Sequence, residues 1–308
     1  MNKSLSIAYI FPWPQIKQSI KHPEQFCSGG NWSIINALRL LGHKVAPINL
    51  YDEKDKFDQE LGRTTLTYLL KNIKVDVVII MDTGQAKVNW KDVCIENKSD
   101  ALVFYGAGDD PMRFDANCDA IRSCKFDGVL ASQKPFVPKY KEFGLPCVWF
   151  PYYHDGILHF PVNYEPTYDI IHIGKIYGLR EKLLKEFMAK DFNVKIEQAW
   201  GHEYRNLLAM AKVGWHEAWC AELGYRHFEI PAIGRLLICD KLDDSYGLFD
   251  CYEKDEIVTY EGKTEQEKID NCIEKINFYT KNKEETKKIA QKGTNRSLIS
   301  HGPLERAK

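Results

Sequence analysis

The 308-residue sequence lacks the marks of several large protein classes. No segment approaches the ~18 uninterrupted apolar residues of a membrane-spanning helix, and the apolar run before Pro12 is too short for a secretory signal. Its 42 Lys and Arg residues nearly balance 43 Asp and Glu residues. The formal net charge of -1 gives no overall attraction to nucleic acid or acidic lipid. We therefore expect a cytoplasmic protein with no membrane span.

Several catalytic and metal-binding motifs are missing as well. The 9 cysteines are scattered without a CxxC pair, which disfavours a disulfide framework and a zinc site. The sequence contains no HExxH, no GxSxG and no P-loop ending in GKS or GKT. It also has no Asp-x-Asp triplet that could hold a metal-bound diphosphate. We therefore expect no bound metal and no nucleophilic hydrolase site.

What the sequence does contain is a regular alternation of strand-like and helix-like segments. Apolar runs such as LSIAYIF and VDVVIIMD alternate with amphipathic stretches such as NWSIINALRLLG. Because the runs are almost continuously apolar, their strands should be buried on both faces of parallel sheets. The proline- and aromatic-rich segment 151–168 resembles a linker. We predict two Rossmann-like α/β domains, residues 1–160 and 161–308.

Ligands of open parallel sheets bind where loops follow the carboxyl ends of strands, and two such domains often share a cleft. The first such loop is CSGGNW, with Ser28, Gly29, Gly30 and Asn31 just before a helix. Its glycines would let the backbone approach a sugar or an anion closely. Ser28 could equally be a helix cap, with the glycines permitting the turn.

A second loop, in FYGAGDDPMRF, places Asp109 and Asp110 directly after a strand. Paired carboxylates can act as a general base or bind a cation. Asp before Pro is also a common start of a turn, and the sequence favours this structural interpretation slightly.

The second half opens with HIGKIYGLREKLL, where Gly174, Lys175 and Arg180 surround a glycine turn and a helix start. Two cations at a helix N-terminus suit a diphosphate, because the helix dipole and the charges act together. The alternative is that Lys175 and Arg180 belong to a solvated helix face.

The most unusual stretch is CAELGYRHFEIPAIGRLLICD, which sets charged residues against a run built for burial. Arg226 could bind a phosphate through two hydrogen bonds, and Glu229 could accept both hydroxyls of a ribose. A surface salt bridge from Arg226 to Glu229 or Glu222 is the alternative, although the apolar flanks make it less fitting.

This stretch resembles the R-x-F-E core of the glycosyl transferases group 1 superfamily, in the branch with spore-maturation-type glycosyltransferase-like proteins. The matching positions are Arg226, Phe228, Glu229, Ala232, Gly234, Leu237 and Asp240. DIIHIGKIYGLREKLLKEF, GDDPMRF, FPYYHDGILHFP and EETKKIAQKGTNRSLISH are similar to other segments of that branch. The resemblance covers nearly the whole C-terminal half and patches of the N-terminal half. It departs at Glu222 and Glu229, which are seven positions apart rather than eight, and at Ile233 and Arg235.

The resemblance implies an α/β GT-B fold, two Rossmann-like domains with parallel sheets facing a central cleft. The C-terminal domain would bind the nucleotide-sugar donor and the N-terminal one would serve the acceptor. Gly174, Lys175, Arg180 and Arg226 would hold the diphosphate, Glu229 the ribose, and the Ser28–Asn31 loop would face the sugar or acceptor. No cofactor or metal is expected beyond the co-substrate, most simply a UDP-sugar.

A metal-independent hexosyl- or pentosyltransferase is therefore the leading hypothesis. Asp110, His154 and Asp155 are the candidates for the base that activates an acceptor hydroxyl. One alternative is a nucleotide- or sugar-binding protein of the same fold without turnover. The acceptor is unknown and could be a glycan or a hydroxylated base in viral DNA. The DNA version would need a basic groove, for which Arg113, Lys134, Lys139 and Lys141 are candidates, although solvated lysines are the simpler interpretation.

Overall fold

The computed structural model describes residues 3–11, 30–48, 64, 67–68, 71–72, 74–82 and 100–308. The chain forms two compact units, the first of residues Met1–Pro151 and Arg306–Lys308 and the second of residues Tyr152–Glu305. The sequence had suggested a division at residue 160. Among the helices that fall in the described ranges, none is both long and apolar enough to cross a membrane.

The first unit is built on a six-stranded parallel sheet in the order β2-β1-β3-β4-β5-β6. Its strands are β1 Ser6–Ile10, β2 Lys44–Ile48, β3 Val77–Asp82, β4 Leu102–Ala107, β5 Gly128–Ala131 and β6 Cys147–Trp149. The helices whose bounds fall within its described ranges are α1 Gly30–Leu40, α2 Phe114–Ser123 and α3 Val137–Lys141, the last preceded by a 3-10 turn.

The first core forms where the helices cover the sheet. The central strands carry apolar side chains on both faces, and in β4 Val103 and Tyr105 are buried on one face while Phe104 on the other is half-buried. The prediction of a parallel α/β sheet from continuous apolar runs is confirmed.

The second unit also consists of parallel strands and covering helices. Its strands are β7 Ile170–Ile173, β8 Val194–Glu197, β9 Gly214–His216, β10 Leu237–Asp240 and β11 Val258–Tyr260. Its helices are α4 Leu179–Ala189, α5 Gly201–Ala209, α6 Arg226–Ala232, α7 Leu248–Cys251, α8 Glu265–Lys281, α9 Lys283–Ser300 and α10 Pro303–Ala307. Arg306 and Ala307, at the end of α10, are grouped with the first unit.

The strands of the second unit pair as β7-β8 and as β11-β10-β9. A parallel bridge between Tyr168 and Ala211, with the Lys212 amide donating to the Tyr168 carbonyl, joins the two groups just before β7 and β9. Ile170, Trp215 and Ile238 of three different strands share one buried core. The strands therefore run together, and their carboxyl ends lie on one side of the unit.

Helix α6 is held from behind by α9. Thr294 Oγ1 and Ser297 Oγ of α9 donate to the carbonyls of Pro231 and Phe228, at 2.9 Å each. On the same helix, Gly293 lets α9 approach the segment before β11, since a Cβ there would stand 2.3 Å from the Glu256 carbonyl oxygen. This packing fixes the helix that begins with Arg226.

The segment 151–168, predicted as a linker, contains side chains packed into the second unit. Tyr152 stacks on Tyr225 with ring centroids 4.1 Å apart, and the His154 amide donates to the His301 carbonyl at 3.2 Å. His159 is buried within contact distance of Glu229. The first part of the segment is thus an integral part of the unit rather than a solvent-exposed connection.

Candidate functional site

A cavity of about 200 Å³ opens at the carboxyl ends of β7 and β9. It lies where the loops after these strands meet the start of α6, which is the position expected for a ligand of a parallel sheet. Its lining residues are Ile171, His172, Ile173, Gly174, Lys175, Arg180, Leu208, Trp215, His216, Glu222, Gly224, Tyr225 and Arg226. All of them belong to the second unit.

Gly174 ends β7 in the left-handed region, with φ of 115°. A side chain is strained in this conformation, and a Cβ here would lie 3.6 Å from Nη2 of Arg226. The positive φ therefore favours glycine at this position, whereas a Cβ would make only ordinary contact with Arg226.

Arg226 is the first residue of α6, and its guanidinium has three fixed contacts. Nη1 donates to Oε2 of Glu229 at 2.7 Å, and Nη2 donates to the Ile173 carbonyl at 2.8 Å. The guanidinium also lies 4.4 Å from the centroid of the Tyr204 ring. Because these contacts leave few rotamers open, the cation is preorganised at the cavity wall.

Glu229 stands behind Arg226 and is not among the residues that line the cavity. Its Oε2 accepts a second hydrogen bond from the Tyr204 hydroxyl at 2.6 Å, and its Oε1 lies 4.0 Å from Nε2 of His159. Burial alone would raise the pKa of Glu229, but the Arg226 guanidinium and the hydrogen bonds outweigh burial and hold the pKa below its usual range. The carboxylate is therefore ionised and orients Arg226.

Arg180 and Lys175 supply two further cations. Nε of Arg180 donates to the Glu217 carbonyl at 2.6 Å, and burial followed by the nearby Arg226 charge lowers the pKa of Arg180. The Lys175 carbonyl accepts from Nε2 of His172 at 3.3 Å, while its side chain belongs to an exposed residue. Within the described ranges, no carboxylate lies within ion-pair distance of either cation.

Two histidines line the cavity without adding charge at neutral pH. Burial, followed by repulsion from Arg180, lowers the pKa of His172 to about 4. Burial also lowers the pKa of His216, whose ring packs 4.8 Å from that of the buried His227. With these rings neutral, Arg180, Arg226 and Lys175 outweigh Glu222, so the cavity favours an anion.

Behind the cavity lies a buried ionic group that sequence reasoning did not identify. Lys268 of α8 donates to Glu217 at 2.7 Å and lies 3.4 Å from Asp240, while the Tyr260 hydroxyl donates to Glu217 at 2.7 Å. Oδ1 of Asp240 accepts from the Ala218 amide at 2.7 Å. These contacts anchor the loop whose Glu217 carbonyl holds Arg180. Tyr204 and His159 were missed as well, since only tertiary packing brings them to Glu229.

The predicted base Asp110 lies in the first unit and is fully buried. Its Oδ1 accepts from the Tyr140 hydroxyl at 2.8 Å and from Nδ2 of Asn117 at 3.2 Å. Burial raises the pKa of Asp110 to about 6 against the opposing effect of these hydrogen bonds. Asp109 before it has φ of 56° and lies 3.8 Å from Arg113. These contacts agree with the structural turn that the sequence slightly favoured.

The other two base candidates lie close together in the second unit, and both are buried. The Nε2 of His154 contacts the Ser297 carbonyl at 3.2 Å, and burial lowers the pKa of His154. Oδ1 of Asp155 accepts from the amides of Ile157 and Leu158, at 2.7 and 3.0 Å. Each has a structural partner, and the catalytic role of all three candidates stays a prediction.

The glycine loop is described only in part. Ser28 and Gly29 lie outside the described residues. Gly30 begins α1, and Oδ1 of Asn31 accepts a hydrogen bond from the Tyr9 hydroxyl at 3.1 Å. Its predicted sugar or acceptor role remains a prediction.

Two of the basic residues considered for a DNA groove lie over aromatic rings. The Lys139 ammonium lies 4.3 Å from the centroid of the Phe136 ring, and that of Lys134 lies 5.5 Å from the centroid of the Trp149 ring.

Within the described part of the chain, no cluster of three or more His, Cys, Asp or Glu residues is arranged to hold a metal ion.

Comparison with known proteins shows what the chain is similar to. Residues 174–308 match the family described as Glycosyl transferase-like. A search of curated protein sequences finds no match.

Solved structures resemble the whole chain. Sucrose-phosphate synthase from Thermosynechococcus elongatus has a TM-score of 0.62 at 11% identity, covering 98% of this chain and 96% of that one. HepE from Anabaena, in complex with UDP and glucose, has a TM-score of 0.59 at 12% identity, covering 98% and 97%. The DNA-modifying enzyme β-glucosyltransferase has a TM-score of 0.56 at 11% identity, covering 96% of each chain.

The spore-maturation branch stays a prediction, whereas the wider resemblance is confirmed. Residues 174–308 match the glycosyl transferase-like family, and the chain has the GT-B fold, as do the solved structures that it resembles.

Proposed function

We propose that the protein is a glycosyltransferase that moves a sugar from a nucleotide-diphosphate donor to a hydroxyl acceptor. The observation that carries this proposal is the set of three cations, Lys175, Arg180 and Arg226, around one cavity at the carboxyl ends of β7 and β9. The match of residues 174–308 to the glycosyl transferase-like family supports the same function.

In this proposal, Arg180 and Arg226 bind the diphosphate, with Lys175 beside them. Cleavage of the bond between the sugar carbon and the diphosphate oxygen leaves negative charge on the leaving group. Two guanidinium groups held by carbonyls and by Glu229 can stabilise that charge without moving. We therefore propose that transfer does not require a divalent cation, and addition of a chelator should leave the rate unchanged.

A UDP-sugar is the proposed donor, since HepE was solved with UDP and glucose and β-glucosyltransferase with uridine diphosphoglucose. Glu229 is proposed to contact the ribose through Oε1, because Oε2 already binds Tyr204 and Arg226. Ribose binding by this carboxylate would require a small opening beside Arg226, because Glu229 does not line the cavity.

The acceptor is proposed to be a hydroxyl of a glycan or of a modified base in DNA. The DNA version draws support from the fold shared with the DNA-modifying β-glucosyltransferase. Binding to duplex DNA that weakens steeply with rising salt would support it, and absence of binding at low salt would exclude it.

UDP titration of the full chain tests the donor site. We expect UDP to raise the melting temperature, and Arg180→Gln to weaken UDP binding about tenfold or more, because a charge-assisted hydrogen bond is lost. Lys182→Gln is the matched control on the same helix, since Lys182 pairs with Glu265 at the surface. If no nucleotide or nucleotide sugar stabilises the wild type, the proposal fails.

A further inference from the structure

A second, larger cavity of about 510 Å³ lies at the other end of the strands of the second unit. Two of its lining residues lie just before strands. Lys212 is two residues before the start of β9, and Leu236 is directly before the start of β10. Its remaining walls come from the segment 161–166 and from helices α8 and α9. We call it the amino-end cavity, and it shares no lining residue with the cavity at the carboxyl ends.

The charge of the amino-end cavity is positive. Lys283 and Lys287 are one turn apart on α9, and within the described ranges neither has an ion-pair partner. Arg235 donates to the carbonyls of Tyr164 and Ala209, and its buried Nε finds no acceptor among the described residues. Glu165 is the carboxylate on the wall, so the cations outnumber it.

The lysine nearest the strands does not add free charge. Lys212 pairs with Asp169 at 2.7 Å. The cations available to a ligand are therefore Arg235, in the α6–β10 loop, and Lys283 and Lys287, on α9.

Much of the rest of the wall is apolar, alongside the polar side chains of Asn163, Thr280, Thr286, Gln291 and Thr294. Val162, Pro166, Ile233 and Leu236 line it, and Tyr164 beside them is 42% exposed. A concave surface of this size, with an apolar wall and a few converging charges, is typical of sites for small organic molecules. An aromatic or aliphatic body could cover the exposed face of Tyr164, while an anionic group reached the lysines.

We propose that the amino-end cavity binds a small organic anion, a monophosphate or carboxylate with an apolar or aromatic body. Arg235 and Lys287 contact the anionic group, and the wall around Tyr164 contacts the body. The site is separate from the donor cavity and does not depend on the donor proposed above.

Calorimetric titration of the full chain with phenyl phosphate tests the proposal. We expect phenyl phosphate to bind more tightly than inorganic phosphate, which lacks the apolar body, and than phenol, which lacks the charge. Lys287→Glu should weaken binding about fivefold or more, because attraction to a partly exposed charge becomes repulsion. Lys288→Glu is the control, since Lys288 pairs with Glu285 and does not line the cavity.

The donor-site variant Arg180→Gln separates the two cavities. Unchanged phenyl phosphate binding in Arg180→Gln supports the amino-end cavity, whereas its loss would assign the ligand to the donor cavity and overturn the proposal. Unchanged binding in the double variant Lys283→Glu/Lys287→Glu would overturn it as well. These lysines are exposed, and an unchanged melting temperature would show that the double variant is folded.

Discussion

At the scale of single residues, the question posed by the sequence was whether Arg226 and Glu229 pair with each other or bind a ligand. The structure shows that they pair, with 28% of the Arg226 side chain and 12% of the Glu229 side chain exposed. Pairing through Nη1 holds the guanidinium at the cavity that Arg226 lines. The salt bridge and the proposed phosphate contact are therefore parts of one arrangement.

Replacing Glu229 by Gln tests this arrangement. The amide keeps an acceptor for Tyr204 but removes the charge opposite a largely buried arginine, so we expect a loss of about 2 to 3 kcal/mol in the free energy of unfolding. Glu253→Gln should cost little, because 71% of the Glu253 side chain is exposed. Denaturant unfolding measures both, and equal stabilities would contradict the interpretation.

The same variant has an expected pH dependence. Because the pKa of Glu229 is held below its ordinary value of 4.5, its ionised form stabilises the fold above that pH. This stability is lost as the pH falls through the lower pKa of the folded state. The difference between wild type and Glu229→Gln should therefore be full at neutral pH and shrink in acid below about pH 4.5. A difference that stays constant down to acid unfolding would argue against an ionic contribution.

For Asp110, the expected pH dependence of the free energy of unfolding has the opposite sign. Burial raises its pKa from 3.8 to about 6, so the protonated form stabilises the fold, fully below pH 3.8, and this contribution is lost as the pH rises through about 6. Asp110→Asn keeps an acceptor for Tyr140 and Asn117 and cannot ionise. We expect it to be more stable than wild type at pH 7, by about 3 kcal/mol if the full shift applies.

Chemical unfolding of Asp110→Asn at pH 4 and pH 7 measures this effect. A variant less stable than wild type at pH 7 would contradict it. Transfer activity retained by the same variant would also exclude Asp110 as the catalytic base.

At the scale of elements, α9 packs closely against both α6 and the segment before β11. Gly293→Ala would place a Cβ 2.3 Å from the Glu256 carbonyl oxygen, which is backbone and cannot turn away. We expect the free energy of unfolding to fall by about 1 to 3 kcal/mol, despite the better helix propensity of alanine. Lys288→Ala, on the same helix but exposed, should change it by less than about 0.5 kcal/mol. Thermal unfolding that leaves Gly293→Ala as stable as wild type would refute the tight packing.

Sequence patterns predicted elements well where the apolar signal was continuous. Strands β4 and β10 were evident from ALVFYGAG and LLICD, because strands buried on both faces carry no polar interruptions. Helix α2 was not predicted, since FDANCDAIRS buries only Asn117, Cys118 and Ile121, and this helical face carries a single long apolar side chain. The contacts of Glu229 with Tyr204 and His159 were likewise beyond prediction, because they depend on how separate elements pack.

At the scale of the whole molecule, composition and rhythm predicted two α/β halves but not the point of division. The aromatic and histidine side chains of residues 152–159 find their partners on α5, α6 and α9 and in the loop before α6. From sequence they resembled a linker, because their prolines and lack of period hide tertiary contacts. A second unit that begins at Tyr152 retains these partners, whereas one that begins at residue 161 loses them.

Two fragments test this division. We expect residues 152–305 to fold alone and to bind UDP within about tenfold of the full chain, because every lining residue of the donor cavity lies in this range. Residues 161–305 should be less stable by several kcal/mol, since the fragment lacks His154, which contacts Ser297, and His159, which packs against Tyr204 and Glu229. Circular dichroism and UDP titration of the two fragments check this. Equal stability would show that residues 152–160 contribute nothing to the second unit, and failure of both to fold would show that the unit requires the rest of the chain.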